Sequence, residues 1–216
     1  MSIISLHDLV IPIPSGNVGK PQKPLVNLVI ESRQVLHIIC NDFSLRAKFN
    51  CIIQGDLNLI GENQGKARFM GQKLTLGKSY IDRTNIKVHR ILGDQYTKNH
   101  KITDSLPSNT QSLDNFLDIN PKLANLWKQE LDQKNLSSFK KDLIFALVTN
   151  PALVILDRLE VFSPSEREDL VNFASKLNQF TETSFLVWHC FLKTKPARGI
   201  VYQLSSAGLR LKILET

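Results

Sequence analysis

The sequence predicts an α/β fold: a mostly parallel central sheet, an antiparallel β layer and a small helical subdomain. Three observations predict it. In the second half, fully apolar runs of strand length alternate with amphipathic helical stretches, the pattern of parallel strands joined by helices. The first half is rich in strand-type runs and has one clear helix. Between them, about residues 95 to 135, the chain turns polar, Asn-rich and partly helical.

In chain order, residues 2–12 and 24–31 read as strands separated by the Gly/Pro-rich turn IPSGNVGKPQKP. QVLHIIC, 34–40, is a short apolar strand. Asn41 and Asp42 are N-cap residues, and a helix follows with Phe43, Phe49, Ile52 and Ile53 on one face and Gly55 near its end. GKARFMGQKL alternates as strand with Gly71 at a turn, and IKVHRIL, 86–92, is another strand. PKLANLWKQEL is the best helix of the polar stretch. LSSFKKDLIFALV, 136–148, places Phe139, Leu143, Ala146 and Leu147 on one stripe. The buried strand ALVILD leads to SPSEREDLVNFASKLNQF, a helix capped by Ser163, with Pro164 in its first turn and Glu166 completing a capping box. Its buried stripe is Leu170, Phe173, Ala174 and Leu177. TSFLVWHC, 183–190, is a buried strand, and RGIVYQL and LRLKIL are two strands around Ser205-Ser206-Ala207-Gly208.

The 216 residues, 42% hydrophobic, suit one domain with a real core. Three cysteines without metal-ligand spacing form no disulfide framework and point to a reducing compartment. The N-terminus has no basic region followed by an apolar core, so it is not a secretory signal, and no run approaches membrane-span length. The net charge of +7 raises the question of nucleic acid or an anionic membrane surface. Yet the basic residues are scattered and the densest group, KNHK at 98–101, is short, which weighs against a dedicated nucleic-acid site.

In order and spacing, QVLHIICNDFSLRAKF, NLSSFKKDLIFALVTNPALVILD, TSFLVWH and ARGIVYQLSSAGL resemble the phosphate loop, the signature segment running into Walker B, the switch strand and the closing hairpin of ATP-binding cassette (ABC) transporter nucleotide-binding domains. The resemblance covers nearly the whole chain. It implies a P-loop NTPase-like cassette as a single domain over 1–216, with a helical subdomain inserted at about 95–148.

Residue by residue, the chemistry of that family is missing. A phosphate loop needs glycines that let successive N–H groups wrap phosphates, a lysine, and a hydroxyl for magnesium. CNDFSLRAK, 40–48, offers Phe43 and Leu45 where small residues belong, Arg46 at the lysine position and Ala47 at the hydroxyl position. Asp42 brings its own carboxylate to the positive end of the helix. Two readings of this helix stay open: a capped core helix with a surface arginine, or an arginine fork on phosphate. Asp157 ends the Walker B strand as a magnesium ligand or as a structural acid paired with Arg158 or Arg46. Arg158 stands where the family has its water-orienting glutamate. Glu160, two positions on, is a substitute base that strand alternation would turn to another face. The signature keeps Ser137 but has Ser138 and Phe139 for the glycines, Phe139 being expected to pack inward with Leu143. The loop EVFSPS lacks the family's aspartate. Gln95, or Asp94, falls near the family's glutamine, and His189 ends its strand where the switch histidine stands.

The resemblance thus names Asp157, Glu160 and His189 as catalytic candidates, Arg46, Ser44, Lys48, Gln95 and Ser137 for nucleotide contact, and Asp157 for metal. One well-placed electrostatic donor is commonly worth about 100- to 1000-fold in rate. With lysine, hydroxyl, glycines and glutamate all replaced, the reading is a pseudo-ATPase that binds ATP and Mg2+ weakly or not at all. It implies a permease partner and a second cassette, as homo- or heterodimer, with the chain peripheral on the cytoplasmic face of the inner membrane and a lipid, lipoprotein or haem export type of system. The alternatives are an active ABC ATPase completed by a partner, and a basic nucleic-acid-binding module on a P-loop-derived core.

Overall fold

Two sheets organise the chain, and the alternation of side chains along their strands decides which residues meet. In a computed structural model the described residues are 2–11, 25–54, 66–69, 72–73, 87–96, 110–132, 137–192 and 196–213. The larger sheet contains β3 (Val35–Ile39), β6 (Val88–Leu92), β7 (Leu153–Asp157), β8 (Ser184–His189), β9 (Ile200–Ser205) and β10 (Gly208–Leu211). Their order is β10-β9-β3-β8-β7-β6, parallel throughout except for β10, which forms an antiparallel hairpin with β9. β7 and β8 are buried at every position, as expected of strands covered on both faces. The smaller sheet is antiparallel, in the order β2-β1-β4-β5: β1 is Ser2–Val10, β2 Leu25–Glu31, β4 Lys66–Phe69 and β5 Gln72–Lys73. The predicted fold class is the observed one. The whole turn IPSGNVGKPQKP (13–24), Gly55, Gly71 and KNHK lie outside the described residues.

Each face of the parallel sheet carries its own core. Leu36 and Ile38 of β3, Leu153 and Ile155 of β7, and Leu186 and Trp188 of β8 pack with the antiparallel sheet and with α1 (Phe43–Ile53). On the opposite face Val154, Leu156, Phe185 and Val187 meet α2 (Thr110–Asp118), α3 (Pro121–Asp132), α4 (Ser138–Val148) and α5 (Pro164–Phe180). Phe139, Leu143 and Leu147 are buried on α4, and Leu170, Phe173, Ala174 and Leu177 on α5, as the helical periodicity predicts; Ala146 is only partly buried. Gly208 ends the hairpin turn with φ +112, and a Cβ there would lie 2.4 Å from the carbonyl oxygen of Leu25, so glycine lets β10 approach β2.

One expectation for α1 fails. Leu45, Phe49, Ile52 and Ile53 form its buried face, but Phe43 is 55% exposed. It is the first helical residue, at the tip beyond the sheet, and covers the Arg46 guanidinium with its centroid 5.3 Å away instead of entering the core.

A charged side chain is buried between the helices on the far face. Lys140 of α4 pairs with Glu130 of α3 at 2.5 Å and Asp169 of α5 at 2.8 Å, and its ammonium lies 5.1 Å from the Phe173 ring centroid. The capping box of α5 forms as read: Ser163 Oγ accepts from the Glu166 amide and the Glu166 carboxylate accepts from the Ser163 amide, which holds that carboxyl below its usual range. Ser163→Ala is expected to cost roughly 1 kcal/mol, read as a lower urea midpoint with unchanged slope.

Candidate functional site

The site lies at the C-terminal edge of β3, β7 and β8, where α1 begins. Alternation along β7 sends Leu153 and Ile155 towards α1, so Asp157, two residues on, faces α1 as well. The same parity puts Arg90 of β6, in register with Ile155, on that side. Arg46 and Asn50, one helical turn apart on α1, reach down to meet them.

Asp157 is 1% exposed and held through both of its oxygens. Its Oδ1 accepts from the Arg158 amide at 2.8 Å and lies 3.2 Å from Arg46 Nε. Its Oδ2 accepts from Asn50 Nδ2 at 2.9 Å and from the Arg90 fork, Nε at 3.1 Å and Nη2 closer still. A carboxylate offers about four lone-pair positions; protein donors crowd Oδ2, while Oδ1 accepts one hydrogen bond and meets Arg46 as an ion-pair partner, Arg46 Nε and Nη1 making no hydrogen bond. Asn50 Oδ1 in turn accepts from Trp188 Nε1 at 2.7 Å, which fixes the amide orientation.

Arg46 is buried to the same degree, which corrects the surface-arginine reading. Its Nη2 donates to Glu160 Oε1 at 2.5 Å, and its plane lies 5.3 Å from the ring centroids of both Phe43 and Trp188. A guanidinium can be buried this way because it is weakly hydrated, stacks on aromatic faces and forks onto carboxylates; an ammonium at the end of a lysine stem would do so less well.

Glu160 is brought here against the strand-alternation expectation. Arg158 adopts a left-handed conformation, φ 57 and ψ 36, and Leu159–Val161 form a 3-10 turn that swings Glu160 back over Arg46. The Arg158 side chain does not pair with Asp157; it forms an ion pair with Asp94 instead. Gly93 makes this possible, since a Cβ there would lie 2.4 Å from the Arg158 carbonyl oxygen.

At the start of α1 the Asp42 carboxylate accepts from the amides of Ser44 and Leu45 at 2.9 and 3.0 Å. The N–H groups that would meet an anion at this helix end thus have an anion already, one built into the chain.

The remaining candidates fall elsewhere. Ser44 is exposed, Lys48 half-buried further along α1, and Gln95 exposed in the 3-10 turn Gly93–Gln95. Ser137 caps α4, its Oγ accepting from the Lys140 amide at 3.3 Å, and Phe139 packs inward with Leu143. His189 is buried beside a residue that sequence reasoning missed, His37 of β3. His37 Nε2 lies 2.9 Å from the Arg198 carbonyl, which can only accept, so that nitrogen carries the proton. His37 Nδ1 then accepts from His189 Nε2 at 3.0 Å, leaving His189 Nδ1 as a bare acceptor. Burial pushes His37 down to about 4. Burial, then the nearby His37, Arg46 and Arg167 charges, push His189 down to about 3. The parallel pairing of Ile39 with His189 was the one signal that could have placed the two histidines together.

Among the described residues, no group of three or more His, Cys, Asp or Glu side chains is placed to hold a metal ion, and no helix is long and apolar enough to cross a membrane. No protein-family model matches the chain, and no curated protein does. Solved structures do. cbiO1 from Clostridium perfringens, part of the ABC transporter complex cbiONQ, matches with 13% identity and a TM-score of 0.62, over 97% of this chain and 87% of that one. The ADP conformation of MJ1267, an ATP-binding cassette of an ABC transporter, matches at 16% identity and TM-score 0.63, over 97% and 90% of the two chains. A nucleotide-free ATP-binding cassette from an ABC transporter matches at 16% identity and TM-score 0.58, over the same shares. At such identities the likeness is one of fold: along nearly its whole length, this chain is folded as an ABC ATP-binding cassette.

Proposed function

We propose that the chain is a non-hydrolysing ABC-type subunit, a pseudo-ATPase that works through its shape beside a membrane permease and a second, active cassette. The observation that carries this reading is that the protein supplies its own substitutes for nucleotide and metal. The Asp42 carboxylate takes the helix-end amides that a phosphate would use, and the Arg46 and Arg90 guanidiniums take the Asp157 oxygens that a hydrated magnesium ion would use. Two buried or half-buried cations face two carboxylates, Asp157 and Glu160, so the cluster is neutral as it stands.

On this reading the residues do not fit Mg-ATP. Arg46 would have to leave Asp157, Glu160 and two aromatic rings to reach a phosphate, and each of the acids would then be left buried and undercompensated. Glu160 is tied to Arg46 and does not act as a base, and Asp157 is a structural acid. We read α2–α4 as belonging to the helical subdomain at about 95–148, inserted in a single domain. The chain then sits on the cytoplasmic face of the membrane, held by its partners.

Isothermal titration of the full chain with ATP and MgCl2 tests the proposal. No saturable binding and no phosphate release are expected. Micromolar binding with turnover by the isolated chain would overturn it.

A further inference from the structure

Cys40 and Cys190 take no part in the network around Asp157, yet the topology brings them together. Ile39 of β3 is in register with His189 of β8, and the Cys40 amide donates to the His189 carbonyl at 2.8 Å. That bond closes the Ile39–His189 pair, the last rung between the two strands, and Cys40 and Cys190 each follow it by one residue. Side chains opposite each other in such a pair share a face. Leu36, Ile38 and Cys40 lie at two-residue steps in the core on the α1 side of the sheet, and Leu186 and Trp188 of the same core precede Cys190, which sits in the bend just after β8. Neighbouring strands lie about 4.8 Å apart, within the roughly 4.4–6.8 Å between Cα atoms that a disulfide spans. Cys40 Sγ donates weakly to the Asp42 carbonyl at 3.3 Å, and the Cys190 thiol lies near the Glu160 carboxylate and the Cys40 thiol. Cys190 is half-buried at the sheet edge and Cys40 is buried beneath it.

We infer that Cys40 and Cys190 are a dithiol that a low-molecular-weight disulfide oxidises to an intrachain disulfide bridging the ends of β3 and β8. The Cys190 thiolate attacks the small disulfide, whose S–S bond breaks and releases one thiolate. The Cys40 thiolate then attacks the Cys190 sulfur of the mixed disulfide and expels the second. The protein loses two electrons, and the small disulfide gains them as two thiols, which take up the two protons the cysteines give off. Burial holds both thiols above their usual range, Cys190 at about 11, so the exchange is slow at neutral pH and quickens as pH rises. The inference does not rest on whether the chain hydrolyses ATP.

The test uses the full chain and glutathione disulfide at mildly alkaline pH, followed by alkylation in denaturant and mass spectrometry. After oxidation one cysteine, Cys51, is expected to alkylate, and a peptide pair joined through Cys40 and Cys190 is expected; a reductant restores all three. Cys51→Ser should still form the bridge, and Cys190→Ser should not. Three alkylated cysteines after oxidation, a glutathione adduct on Cys190 that never closes, or a bridge involving Cys51 would each overturn the inference.

Discussion

Asp157→Ala is expected to destabilise the protein by roughly 3–5 kcal/mol, the range for removing one partner of a buried ion pair. The variant leaves the buried Arg46 with Glu160 alone, frees the Arg90 fork, and strips the Asn50 amide of its acceptor while Trp188 still holds that amide in place. Loss of this size is a large fraction of a domain's stability, so the variant should show a sharply lowered urea midpoint or fail to accumulate folded. The opposite outcome has a clear meaning. An acid kept for metal chemistry stands in a site whose strain is relieved when it is removed, and such substitutions are often neutral or stabilising. Unchanged or raised stability of Asp157→Ala would therefore return Asp157 to the role of a ligand. Glu182→Ala, which removes the exposed ion pair with Arg33 elsewhere on the surface, is the control and should change little.

The second large effect is one of pH. His37 and His189 are held neutral in the folded chain at about 4 and about 3, against about 6.5 when unfolded. The unfolded chain then binds more protons than the folded one below about pH 6.5, so acid favours unfolding. Their contribution is complete above that pH and declines as pH falls towards 4, where His37 protonates in the folded state, with His189 continuing to about 3. Each histidine contributes a slope of up to about 1.4 kcal/mol per pH unit in this window. Urea midpoints between pH 7.5 and 5, above most carboxylate titration, should fall steeply. His189→Gln keeps a donor for His37 Nδ1 and removes one titrating group, so its slope should be close to half. A flat profile for the unsubstituted chain would show that the pair is not held neutral. His89, half-buried and likewise lowered, adds a smaller share in both proteins.

Much of the scaffold was legible because it depends on local patterns. The apolar runs ending at Ile39, Asp157 and His189 could only be strands covered on both faces, and Ser163-Pro164-Ser165-Glu166 could only begin a helix. The residue types at the motif positions were also legible, Arg158 standing where the resemblance expects a glutamate. The Phe43 error and the surface-arginine reading have one cause: helical periodicity gives the angle of a side chain, not what stands beyond the helix tip. Glu160 was misplaced because a non-glycine residue in the left-handed region, Arg158, interrupts the alternation.

By itself, then, the sequence determined the layered α/β scaffold and which residue types stand at the family's motif positions, both of which follow from periodicity and side-chain chemistry along the chain. Only the tertiary structure decided what fills the site: Arg46 turned inward on Asp157 and Glu160, Arg90 joining from a neighbouring strand, Asn50 bridging to Trp188, and His37 meeting His189. The physical reason is that a buried charge is tolerated only where partners converge on it from several elements, and the convergence of residues 37, 46, 90, 157 and 189 is a property of strand order, which no local pattern encodes.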